Sequence, residues 1–221
     1  MQGGKKMENL ENTEKNINSV EVVKETEKKK LKPLQIMLRK SAITAVLISL
    51  SFVINFITKF IPILKMPQGG RVSLEGFVIT MGGLYLGPIY GTAVGIGYAL
   101  LNFMADGYQL HWGSIFFDYL FAFGFIGLAG GLFSKQYLKG KIWTVFIAAT
   151  IGMILRWISS SLSGVLFFSE YAGDKNVWLY SFILYNLPYC AGSLAAILAL
   201  AGLSYISQMH MLKQARTLLG Y

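Results

Sequence analysis

Gly113-Ser114-Ile115-Phe116-Phe117-Asp118-Tyr119-Leu120-Phe121-Ala122-Phe123-Gly124-Phe125-Ile126-Gly127-Leu128-Ala129-Gly130 is an apolar run interrupted by one carboxylate. Extended over 113–134, it is long enough to cross about 30 Å of hydrocarbon, which takes ~20 residues. Asp118 then lies roughly 8 Å down a helix rising 1.5 Å per residue. A charge inside a bilayer costs about 2.5–3.5 kcal/mol on insertion scales, so this one requires a partner or a task.

Five further apolar runs surround it, at 41–58, 73–87, 89–105, 142–168 and 177–207. Gly87-Pro88 separates the second from the third, because a helix restarts at proline. The 221-residue chain is 54% hydrophobic and 14% charged, with mean hydropathy +0.50. Ordinary soluble domains carry about 25% charge, so that class is excluded. Its single cysteine, Cys190, excludes an internal disulfide. The expected fold is an all-α membrane protein of six transmembrane helices in a compact bundle. Lys and Arg counts orient it. Arg39 and Lys40, then Lys135, Lys139 and Lys141, then Lys213 and Arg216 share one side, which places both termini in the cytoplasm. The loop after the first span breaks the rule with Lys59, Lys65 and Arg71, and so is expected to have another task.

Three regions are expected. Residues 1–33 hold six of the eleven acids and eight of the twenty bases, lack aromatics, and read as a disordered cytoplasmic tail and not a signal peptide. Residues 34–210 form the transmembrane domain, and 211–221 a cytoplasmic C-terminal tail. The +9 net charge reflects topology and a membrane-proximal anchor on the lipid bilayer, with no nucleic-acid partner.

The remaining ionisable groups divide by position. Lys59 ends the first span and can snorkel. Glu75 follows Ser73 at a helix start and is expected to serve the helix dipole as a capping acid. Tyr108, Trp112, Phe116, Phe117 and Tyr119 surround Asp118 in sequence, a setting that suits an organic cation. An ion pair with Arg156 is the alternative for Asp118, and for Arg156, stranded in mid-span, pairing is the expected role. A second polar concentration runs from Ser159, Ser160, Ser161, Ser163 and Gly164 through Tyr180, Ser181, Tyr185, Asn186 and Tyr189. Its convergence with Asp118 near the outer face describes a small-molecule pocket. Trp143 and Trp178 read as interfacial belt residues.

Gly83/Gly87, Gly91/Gly95 and Gly127/Gly131, each four apart, read as internal helix packing. Ser41, Ala45 and Ser49 make a small-residue stripe on the first helix that suits either internal packing or a partner subunit. No Gly-Lys-Ser/Thr phosphate loop, Gly-x-Ser-x-Gly elbow or His-Glu-x-x-His motif occurs, and His111 and His210 lie on opposite sides of the membrane. ATP-driven work by this chain alone is therefore excluded, and an enzyme reading lacks its residues.

Three stretches resemble a known family: Met66-Pro67-Gln68-Gly69-Gly70-Arg71-Val72-Ser73-Leu74, the Asp118–Phe123 run leading to Gly127-Leu128-Ala129-Gly130, and Leu155-Arg156-Trp157 with Leu162–Phe168, Tyr171-Ala172, Tyr180-Ser181 and Tyr185-Asn186. They are similar to the thiamine-specific substrate-binding (S) components of energy-coupling-factor (ECF) vitamin transporters. The resemblance, over about residues 36–208, implies thiamine capture from outside a prokaryotic plasma membrane. Partners would be a transmembrane coupling subunit and two ATPase subunits that use the ATP, with no cofactor on this chain. Carried over by position, it implies a substrate site of Asp118, Tyr119, Tyr108, Ser160, Gly164, Phe168, Tyr180 and Asn186. It implies a lid of Gln68, Gly69, Gly70 and Arg71, and docking through Ser41, Ala45 and Ser49. This chain departs from the family pattern at Ser160, where a histidine is usual, at Phe168, at Arg71, and in the six-residue step from Tyr180 to Asn186, where five is expected. An S component for another vitamin or a thiamine precursor, and an ion-coupled secondary transporter, are the alternatives.

Overall fold

A computed structural model describes residues 33–61, 66, 70–107 and 111–219. Helix α1 (Pro33–Thr58) opens on a proline, whose missing N–H is unused in a first turn. Then come α2 (Glu75–Leu86), α3 (Pro88–Asp106), α4 (Trp112–Leu132), the short α5 (Ser134–Leu138), α6 (Thr144–Phe167), α7 (Val177–Leu203) and α8 (Tyr205–Leu219). Apart from an isolated bridge at Arg71, the described residues are helices, turns and loops. Among them α1, α4, α6 and α7 are long and apolar enough to cross a bilayer. With 12 residues, α2 rises only about 18 Å. The expected division at Gly87 is present: its φ of +92° ends α2, and Pro88 starts α3.

Helix α1 is inside out relative to a helix of a water-soluble protein. Its buried residues are Thr44, Ser51, Asn55 and Thr58, while Leu38, Val46, Val53, Phe56 and Ile57 stand exposed. Lipid solvates the aliphatic side chains as well as protein would, so packing is left to small and polar groups. Thr44 and Ser51 return their hydroxyls to the carbonyls of Lys40 and Leu47 at 2.8 Å. Asn55 donates to Asn102 Oδ1 on α3, also at 2.8 Å. The stripe of Ser41, Ala45 and Ser49 is exposed, on a different face from this buried one.

Helix α4 is the centre, packed against α2, α3 and α6. A Cβ at Gly127 would strike the backbone of Gly91, and one at Gly91 would strike Gly127 and Gly83. One at Gly131 would strike Pro88. Gly83, Gly91, Gly95, Gly127 and Gly131 therefore do serve internal packing, with three backbones in direct contact, whereas a Cβ at Gly87 would meet nothing within 4 Å and that residue serves the turn through its positive φ. Ile79, Val94, Tyr98, Phe123 and Ile126 fill the core beside that seam.

At the other end, Tyr137 of α5 donates to Gln208 Oε1 at 3.1 Å and lies within hydrogen-bond distance of Tyr85 Oη at 3.2 Å, and Arg216 Nε donates to the Leu138 carbonyl at 2.5 Å. These bonds hold α8 to the bundle. The segment read as a C-terminal tail is helical through Leu219. Of the expected N-terminal tail only Pro33 is described, and it belongs to α1; residues 1–32 lie outside the described residues.

Candidate functional site: a polar cavity between α4, α6 and α7

A cavity of about 420 Å³ lies among the polar segments of α4, α6 and α7 and the loop before α2. Asp118 and Tyr119 line it from α4, Ser160 and Gly164 from α6, and Phe168 from the turn beyond. Tyr180 and Asn186 line it from α7, and Gly70 and Arg71 from the loop. Tyr108, Gln68 and Gly69 lie outside the described residues.

Two of these helices change their winding where they meet the cavity. Residues Ile115–Phe121 of α4 and Tyr180–Asn186 of α7 are π-helical. A π turn inserts a residue into an α-helix and is found mostly at functional sites. In α7 it accommodates the long Tyr180-to-Asn186 step, and both residues reach the same cavity. In α4 it contains Asp118. Ser159 Oγ donates to the Phe117 carbonyl at 2.6 Å, so α6 supplies a donor to the altered turn.

The carboxylate of Asp118 is half-buried and accepts a 2.5 Å hydrogen bond at Oδ2 from Ser163. Arg156, 7% exposed, is not bonded to it. Its guanidinium lies over the Phe123 ring, 4.5 Å from the centroid, and its Nε and Nη1 have no hydrogen-bond partner among the described residues. The expected structural pairing of Arg156 is thus replaced by an aromatic contact and by two N–H donors without a partner. A buried guanidinium over a ring face gains a cation–π contact of about 2 kcal/mol.

On α7 the polar groups constrain one another. Tyr189 donates to Asn186 Oδ1 at 2.6 Å, and Asn186 Nδ2 donates to the Ser181 carbonyl at 2.8 Å. Ser181 Oγ donates to the Ser161 carbonyl at 2.7 Å, which joins α7 to α6. Gly164 sits at that joint: a Cβ there would collide with the Ser181 side chain. The loop before α2 is held down at its end. Gly70 N–H donates to Tyr185 Oη at 2.9 Å, Met66 N–H donates to the Gly70 carbonyl at 2.6 Å, and Ser73 N–H donates to Ser193 Oγ at 2.8 Å.

Glu75 differs most from its sequence reading. The N-cap of α2 is Leu74, without a side-chain hydrogen bond. Glu75 itself is 1% exposed, accepts a 2.8 Å hydrogen bond from Tyr98 Oη at Oε1, and lines the cavity. Tyr185 and Tyr189, expected from the polar run, line it too, and Met66, Asn102, Phe123 and Tyr171 are lining residues beyond those expected. Met66 and Asn102 come from other segments, and linear spacing carried no signal for them. Trp143 and Trp178 are more than half exposed, as belt residues would be.

The protein-family model described as "Thiamine transporter protein (Thia_YuaJ)" matches residues 42–213. Thiamine transporter ThiT of Bacillus subtilis (strain 168) is 30% identical over 159 residues, covering 68% of this chain and 82% of that protein. A solved structure of ThiT from Listeria monocytogenes superposes with a TM-score of 0.63 at 25% identity, over 86% of this chain and 99% of that one. Sequence and fold therefore agree, and the chain belongs to the thiamine transporter protein family, as a multi-pass membrane transport protein and not an enzyme.

Proposed function

We propose that this chain is the thiamine-binding S component of an ECF-type transporter in a prokaryotic plasma membrane, crossing six times with both termini in the cytoplasm. It captures thiamine in a pocket that opens outward. It releases the vitamin inward after docking on a coupling subunit driven by two ATPase subunits. Asp118, Tyr119, Ser160, Gly164, Phe168, Tyr180 and Asn186 hold the ligand, the loop ending at Gly70 and Arg71 covers it, and the Ser41–Ala45–Ser49 stripe meets the coupling subunit.

The observation that carries this reading is the Asp118 carboxylate, which lines an aromatic-walled cavity and accepts a hydrogen bond from a neutral serine, Ser163. Such a group attracts the positive thiazolium ring, and nearby ring faces add to the attraction. A cavity of about 420 Å³ suits a vitamin-sized guest. Family membership and the names of the relatives supply thiamine in particular. The exposed small-residue stripe on α1 supports the docking assignment.

Equilibrium binding of thiamine to purified protein tests the reading, with saturation expected at nanomolar to low-micromolar concentration. Asp118→Asn should weaken thiamine roughly 100-fold, about 3 kcal/mol, and weaken an uncharged analogue far less. Equal losses would contradict charge pairing. Uptake that persists in cells lacking the coupling subunit and its ATPases would favour an ion-coupled transporter instead.

A further inference from the structure

Glu75 holds a second carboxylate in the same cavity, and the assignment of Asp118 to the cationic end leaves it without a task. Only half of this group is satisfied. Tyr98 donates to Oε1 at 2.8 Å, while Oε2 is buried with no hydrogen-bond partner among the described residues. Buried polar atoms are almost always paired, and a carboxylate oxygen is among the most unfavourable to leave bare. Glu75 lines the cavity, and Tyr98, which orients it, does not. The phenol therefore holds Oε1 from outside the cavity lining, and Oε2 is the carboxylate oxygen left without a bond among the described residues.

The surroundings define what Oε2 would accept. Arg156 interacts electrostatically with both Asp118 and Tyr98, and Arg71 also acts on Tyr98. Arg71 and Arg156 line the same cavity as Glu75, so positive charge is already supplied there and Glu75 does not call for a second full cation. What it lacks is a neutral hydrogen-bond donor.

We propose that Glu75 is a specificity-determining residue, whose Oε2 accepts a hydrogen bond from the neutral amino group on the ligand's heterocyclic ring while Asp118 faces the cationic ring. This rests on the reading of the ligand as thiamine, whose aminopyrimidine carries such a group. A pocket that pairs an N–H of its ligand rejects the analogue lacking it, because the buried acceptor is then left bare.

The test compares thiamine with its 4′-deamino analogue, in which hydrogen replaces the amino group, by equilibrium binding to the purified full-length protein. Wild type is expected to prefer thiamine by at least roughly 30-fold, the loss of a hydrogen bond to a charged group. Glu75→Met should bring the two within about threefold by weakening thiamine alone, and Glu75→Gln, an acceptor without the charge, should fall between. Tyr98→Phe, which removes the bond that positions the carboxylate but keeps the acceptor, should lower the preference less than Glu75→Met does. A wild type that binds both ligands equally overturns the proposal whether or not any variant folds, as does a preference unchanged in Glu75→Met, the result expected if Oε2 merely holds water. A wild type that binds neither ligand removes the thiamine reading and this one together, so the two failures are distinguishable.

Discussion

Two regions of the bundle are built from the same kinds of residue and behave oppositely. Along the seam of α2, α3 and α4, glycines bring backbones into direct contact, and any side chain at Gly83, Gly91 or Gly127 would strike main-chain atoms of a neighbouring helix. Between α6 and α7, Gly164 and a set of serines join the helices through side-chain contacts beside a cavity. The difference is what each glycine faces. Backbone cannot yield, so the seam is closed, whereas the Gly164 neighbour is the Ser181 side chain, already committed to the Ser161 carbonyl. Helices that cannot gain by hiding apolar surface from water associate through close packing and polar contacts. The seam uses the first means and the cavity wall the second.

Breaking the seam should have the largest effect. Gly127→Leu forces α3 and α4 apart and is expected to cost about 3 kcal/mol or more, read as a large fall in thermal denaturation temperature in detergent together with loss of ligand binding. A fully stable variant would show that the helices do not depend on this contact. Gly164→Ala acts on the cavity instead. The protein should remain folded, while thiamine affinity falls roughly tenfold, about 1.4 kcal/mol, as Ser181 is displaced toward Asn186. Tyr185→Phe removes the phenol that receives Gly70 N–H and should cost about 1 kcal/mol of binding, roughly fivefold, mostly as faster dissociation in stopped-flow experiments. Gly202→Ala, where a Cβ meets nothing within 4 Å, sharpens the comparison from the other side. It should leave binding unchanged and stabilise the protein by about 0.4–1 kcal/mol.

Some of this was legible in the chain and some was not. The helical runs, the break at Gly87-Pro88 and the glycine pairs were readable because each depends on residues within a few positions of one another. The convergence of Asp118, Ser160, Gly164, Tyr180 and Asn186 could also be anticipated, as all five sit at polar points of apolar runs at similar depth. Glu75 was judged by its own helix and Arg156 by its nearest opposite charge, and in both cases a neighbour from another helix decided the contact. Glu75 looked like a capping acid until Tyr98, on the next helix, took its Oε1. Arg156 looked paired until Phe123, rather than Asp118, met its guanidinium.

The six-residue step from Tyr180 to Asn186 marks the same boundary. On an ideal α-helix it argued for a register fault, and spacing alone had no means of announcing a π turn. By itself the amino-acid sequence determined the solvent of this protein, its helices and which residues could afford close approach, since these follow from local hydropathy, proline and glycine. Only the tertiary structure decided which buried polar atoms were satisfied. A hydrogen bond between helices joins residues distant in sequence, and the oxygens and nitrogens left over, at Glu75 and Arg156, are known only when every neighbour has been placed.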